Sequence, residues 1–205
     1  FIRTYTKGES KGVYSFTFDA DASKLGEIKA VAQLDNPTYV NLSQNNKHLY
    51  AVIKEGNQGG VASFAINPQS GELTKINTQV IDGASPCHVS VDSHNRQVVS
   101  ANYHKGTIDA YLVDENGHLT PVTSIVEHTG KGPHERQEKP HTHYSGFTPD
   151  DKFVVAVDLG IDKVITYKIE EGKLEEVHSL LVKAGSGPRH LTFHPNGKFA
   201  YVMTE

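Results

Sequence analysis

The run from Arg189 to Glu205 puts a guanidinium at the start of one apparent strand and a carboxylate at the end of the next. In an antiparallel hairpin those two ends meet at one rim. There a carboxylate can take a proton and a guanidinium can hold an anion. The plain alternative is a rim salt bridge, which is common and contributes little. A second constellation is His141-Thr142-His143. Residues flanking one strand position point to the same face, so the two imidazoles suit either a pair of metal ligands or a pair acting on one substrate. A metal calls for a third and fourth ligand. None stands at comparable spacing, and the reading is metal-free. These histidines close a polar stretch from Glu127 to His143 that holds four histidines, Arg136, Lys131 and Lys139. Its bland reading is a solvated loop.

The elements that must position these groups show as a repeat of about 48 residues. Pro37-Thr38-Tyr39-Val40, Pro86-Cys87-His88-Val89, Pro140-His141-Thr142-His143 and Pro188-Arg189-His190-Leu191 open similar stretches. Each leads to a polar turn: Asn45-Asn46-Lys47, His94-Asn95-Arg96, Asp150-Asp151-Lys152 and Asn196-Gly197-Lys198. A short apolar run follows each turn. Phe16, Phe64, Tyr111 and Tyr167 stand three residues after Val13, Val61, Ile108 and Val164, and Leu25, Leu73, Leu119 and Leu174 close the hairpins. Alternation such as Val61-Ala62-Ser63-Phe64 predicts half-buried strands, and no window carries a helical period.

The fold predicted is all-β: a β-propeller of four-stranded antiparallel blades. Residues 1–205 read as a single propeller domain of about four blades. One blade cannot bury both its faces, so it needs stacked neighbours. Phe1-Ile2 reads as mid-strand and Glu205 follows a strand directly. The expectation is therefore a segment of a longer closed ring, inactive when isolated. The repeat gains about eight residues between Glu127 and His143, and long loops on rigid scaffolds tend to carry binding residues. This one joins an outer strand to the next inner strand, at the channel mouth. The counterparts of Arg189 are Thr38, Cys87 and either His141 or His143, depending on how the loop is gapped. His88 and His190 recur at one entry position, which suggests blade packing.

The net charge of −4 and a pI near 6.3 leave no basic stripe for nucleic acid. No apolar run reaches transmembrane length and no targeting segment opens the chain. The single cysteine, Cys87, excludes a disulfide framework, fits a reducing cytoplasm, and reads as a buried structural thiol. There is no Gly-x-Ser-x-Gly nucleophile motif and no glycine-rich phosphate loop. No cofactor is expected.

Gly187-Pro188-Arg189-His190-Leu191, continuing through Phe193-His194-Pro195-Asn196-Gly197-Lys198 to Tyr201-Val202-Met203-Thr204-Glu205, resembles the lactonase family of seven-bladed propellers. Thr4-Tyr5-Thr6-Lys7-Gly8, Asn36-Pro37-Thr38-Tyr39 and Gln137 to Pro140-His141-Thr142-His143 are similar to it as well. Arg3 departs from the pattern, where the family has glycine. The resemblance covers the whole chain and implies about three further blades. It implies the activity of the characterised bacterial members, the 6-phosphogluconolactonases of the pentose phosphate pathway: a carboxylic-ester hydrolase acting on a phosphorylated sugar lactone. It carries the catalytic positions onto His141 or His143, Arg189 and Glu205. Glu205 is then the general base and Arg189 the electrostatic partner, with one histidine orienting or relaying a proton. Arg136, Lys131 and Lys139 are candidates for the substrate phosphate. Two other readings stand beside this one. A cyclase or isomerase, as in a fungal carboxy-muconate cyclase relative, would use the same site. A non-catalytic interaction propeller would want apolar anchors on its loops, and this chain has no tryptophan and polar loops.

Overall fold

The computed structural model describes residues 1–205, and every regular element in it is a strand. The first repeat supplies β1 (Gly12–Ser15), β2 (Phe18–Asp19), β3 (Lys24–Leu25) and β4 (Lys29–Gln33). The second supplies β5 (Val40–Leu42), β6 (His48–Glu55), β7 (Gln58–Ile66) and β8 (Leu73–Asp82), and the third β9 (His88–Val91), β10 (Gln97–Asn102), β11 (Thr107–Leu112) and β12 (Ser124–Glu127). The fourth gives β13 (Thr142–Phe147), β14 (Phe153–Asp158), β15 (Lys163–Glu170) and β16 (Lys173–Leu181), followed by β17 (Pro188–Phe193) and β18 (Ala200–Thr204).

Three complete four-stranded antiparallel sheets result: β5 to β8, β9 to β12 and β13 to β16. β17 and β18 form a two-stranded sheet after them. The first repeat is less regular than its sequence suggests. β1 pairs with β4, the register slips between Val13 and Tyr14, and β2 and β3 form a separate hairpin. Phe16 accordingly lies outside any strand, whereas Phe64, Tyr111 and Tyr167 are buried in theirs. The innermost strands β5, β9, β13 and β17 neighbour one another in turn, which is the blade arrangement of a propeller.

The polar turns recur for a backbone reason. Asn46, Asn95, Asp151 and Gly197, the middle residues of the four turns, all have φ between 55° and 68°. Only glycine adopts that region freely, with asparagine and aspartate the best tolerated of the rest. This fixes the tight return between the first two strands of each blade, and with it the phase of the alternation that follows.

Packing runs between sheets rather than within one. Val99, Ile108 and Ala110 of one sheet meet Val154, Ala156, Ile165 and Tyr167 of the next. Tyr50, Val52 and Val61 meet Val89, Val98 and Tyr111 in the preceding gap. Each fully buried side chain of this size contributes roughly 1.5–3 kcal/mol, so a blade is held mainly by its neighbours. A buried polar knot joins the last two complete sheets. His128 Nδ1 donates to Asp158 at 2.6 Å, the Tyr167 hydroxyl lies 2.9 Å from His128 Nε2, and Thr142 donates to Asp158 at 2.9 Å. It anchors both ends of the long loop between β12 and β13.

Candidate active site

Two inner strands begin with the same irregularity. In β13, Thr142 pairs with Asp158 and Tyr144 with Val157, leaving His143 between them without a partner residue. In β17, Pro188 pairs with Thr204 and His190 with Met203, leaving Arg189 in the same position. A bulge adds one residue, kinks the strand and re-aims the side chain it carries. Here both side chains point into one cavity of about 490 Å³, which Thr38 and Cys87 also line. The four equivalent entry positions of successive blades thus converge on one space. They align His143, not His141, with Arg189.

Glu205 follows β18 and enters the same cavity. Its backbone N–H donates to the Gly187 carbonyl at 2.9 Å, which returns it to the start of β17. Arg136 Nη2 donates to Glu205 Oε1 at 2.9 Å, and Arg189 Nε lies 3.6 Å from Oε2. The second distance is an ion pair but no hydrogen bond. Arg189 Nε is buried and has no hydrogen-bond partner; neither has His143 Nδ1. Two buried polar atoms without hydrogen-bond partners, on side chains that line one cavity, mark it as a candidate functional site.

The long loop reaches Glu205 because Gln137 is locked behind it. The buried Gln137 amide donates to the Leu159 carbonyl at 2.7 Å and to Asp162 at 2.8 Å. Asp162 is itself buried and also accepts from the N–H groups of Gly185 and Gly187, at 2.7 and 2.9 Å. One carboxylate therefore ties the loop carrying Arg136 to the turn preceding Arg189.

The remaining residues singled out in the sequence lie elsewhere. His141 is buried outside the cavity lining, stacked on Tyr103 with ring centroids 4.3 Å apart and bonded to the Tyr103 carbonyl at 3.1 Å. The bulge turns its neighbour into the cavity and leaves His141 packing beneath. Lys131 is exposed and does not line the cavity. Lys139 also lies outside the lining; its ammonium donates to the His104 carbonyl at 2.8 Å. In their place the cavity has Lys7 and Lys54, with Tyr5, Tyr103 and His104. Nothing local marked them, since the two lysines are far apart in sequence and meet only through the fold. Arg3 bonds the Thr38 carbonyl and lies over the Tyr39 ring, 4.3 Å from its centroid.

Burial, reinforced by the Arg189 guanidinium and His190, pushes His143 down to about 4. Its imidazole is neutral at pH 7 and can accept a proton or a hydrogen bond. Burial and the same arginine also lower His190. The Cys87 thiol is pushed up to about 12 by burial, so it is no thiolate nucleophile. No group of three or more His, Cys, Asp or Glu side chains is placed to hold a metal ion. The arrangement offers a carboxylate, a neutral imidazole and a guanidinium around one space. That set can activate water and stabilise an oxyanion.

The profile of the family described as "Lactonase, 7-bladed beta-propeller" matches residues 1–205. A 6-phosphogluconolactonase of Bacillus subtilis is 56% identical over all of this chain, which spans 59% of that relative. A crystal structure of a Lactobacillus plantarum protein superposes with a TM-score of 0.90 at 41% identity, covering 99% of this chain and 58% of the other. The periplasmic gluconolactonase of Pseudomonas aeruginosa gives a TM-score of 0.90 at 30% identity, covering 100% of this chain and 60% of its own.

Proposed function

The chain belongs to the lactonase family of seven-bladed β-propellers, and we propose that the protein hydrolyses 6-phospho-D-glucono-1,5-lactone to 6-phosphogluconate with activated water. The observation that carries this reading is the convergence of His143, Arg189 and Glu205 on one cavity. In the mechanism, the Glu205 oxygen not bonded to Arg136 takes a proton from water as the water oxygen adds to the lactone carbonyl. The Arg189 guanidinium, which pairs with Glu205 at 3.6 Å without a hydrogen bond, receives the oxyanion of the tetrahedral intermediate. That intermediate collapses by breaking the bond from the carbonyl carbon to the ring oxygen, which takes up a proton and leaves a hydroxy acid. His143, neutral at pH 7, orients the water or relays that proton.

The protein is further read as one closed ring working in the cytoplasm. Phe199, just before β18, and Tyr201 and Met203 on it are 60%, 56% and 69% exposed, and an adjacent blade would cover such a face.

The reading is tested with freshly prepared 6-phosphogluconolactone and the full-length protein, following acid release and subtracting spontaneous opening. Turnover well above background, with and without a chelator, is the expected result. No turnover, with conversion of a carboxy-muconate instead, would replace hydrolysis by cyclisation on the same groups.

A further inference from the structure

Charge in the cavity is lopsided. Lys7, Lys54, Arg136 and Arg189 line it, with Glu205 the only carboxylate, in a chain whose net charge is −4. Both arginines are turned to Glu205. Neither lysine ammonium forms an ion pair.

The two lysines are held at one corner of the fold. The Lys54 N–H donates to the Asp35 carbonyl at 3.1 Å. Thr6, beside Lys7, donates its hydroxyl to the Asp35 carboxylate at 2.7 Å and its N–H to the Asn36 side chain at 3.3 Å. Asn36 answers with an N–H to the Thr6 hydroxyl at 3.1 Å. Asp35 accepts a second hydrogen bond from the Asn36 amide at 2.7 Å. The carboxylate of this corner is thus held by neutral donors and pairs with neither lysine, and both ammonium groups are without an ion-pair partner at the cavity.

We propose that Lys7 and Lys54 form the subsite for a phosphate monoester dianion, seating the substrate with its lactone carbonyl toward Arg189 and Glu205. This rests on the lactonase reading of the same cavity and deepens it. Two mobile ammonium groups match a phosphate as point charges. They would select the phosphorylated lactone over its unphosphorylated counterpart, while Arg136 stays with Glu205.

The test uses the full-length protein, its Lys7→Ala/Lys54→Ala variant and a Lys131→Ala control. The ratio of kcat/KM for 6-phosphogluconolactone over glucono-1,5-lactone should fall about 100-fold in the double variant, given about tenfold per charge-assisted bond. It should stay at the parental value in the control. A double-variant ratio within about threefold of the parent overturns the subsite. If the parent opens neither lactone, the hydrolase reading fails, and calorimetric binding of inorganic phosphate decides the subsite alone. Weaker binding in the double variant than in the parent upholds it, and equal binding overturns it.

Discussion

His143 and Arg189 occupy the same position in successive blades, each the unpaired residue of a bulge at the start of an inner strand. The two bulges aim an imidazole and a guanidinium into one cavity from adjoining blades. Arg189 also faces Glu205, so its fork geometry matters as well as its charge. Arg189→Lys should lower kcat/KM on the lactone about 100-fold while leaving the unfolding midpoint unchanged, because lysine keeps the charge and loses the planar donors. Steady-state kinetics beside a denaturation curve checks this. A lysine variant of parental activity would show that charge alone suffices.

His143 should titrate near pH 4, and its position should depend on its neighbour. Burial is the first cause of the lowered value and the Arg189 guanidinium the second. A positive neighbour disfavours the imidazolium. Arg189→Ala should therefore move the His143 midpoint upward, toward the ordinary histidine value. Proton NMR of the imidazole ring followed against pH reads both. A midpoint unmoved by the substitution would remove the electrostatic link between the two groups.

Stability should fall as the solution is acidified from about pH 6.5, the ordinary histidine value, toward pH 3. His88 is packed between the Tyr39 and Tyr144 rings, with centroids 4.2 and 4.5 Å away. Burial, followed by the charges of His143 and His190, pushes it down to about 3. In that window the unfolded chain binds protons that folded His88 and His143 refuse, so unfolding is favoured as pH drops. His88→Phe should flatten the dependence of the urea midpoint on pH between 6.5 and 4. An equally steep profile would assign the acid sensitivity to other groups.

Asp162 holds the site without entering it. Its carboxylate accepts from Gln137, Gly185 and Gly187, and the Gly187 carbonyl accepts from the N–H of Glu205. Asp162→Ala should cost about 2–4 kcal/mol, because buried donors lose their acceptor. It should also free the Arg136 loop. Urea unfolding measures the first effect and limited proteolysis within residues 128–141 the second. Parental stability and resistance would show that the two loops hold without it.

The architecture was legible because the strongest signals are local. Middle turn residues such as Asn46 and Gly197 must take a left-handed backbone, and buried aromatic residues such as Phe64 and Tyr111 stand three residues after a β-branched one, Val61 and Ile108. The first repeat was less so, since a register slip after Val13 breaks its sheet. The Arg189–Glu205 approach followed from hairpin geometry. The choice between His141 and His143 did not, because a bulge is a matter of pairing and the long loop hides the register. Lys7 and Lys54 were out of reach for another reason: Thr6, Asp35 and Asn36 bring them together by contacts between distant segments.

The central claim is that Glu205 activates water on a lactone carbonyl beside Arg189 and His143. The most direct measurement compares initial rates of 6-phosphogluconolactone hydrolysis by the full-length protein and its Glu205→Gln variant, each corrected for spontaneous opening. The amide keeps the shape and loses the base, so kcat should fall about 100-fold with little change in KM. A Glu205→Gln enzyme turning over at the parental rate would contradict the account.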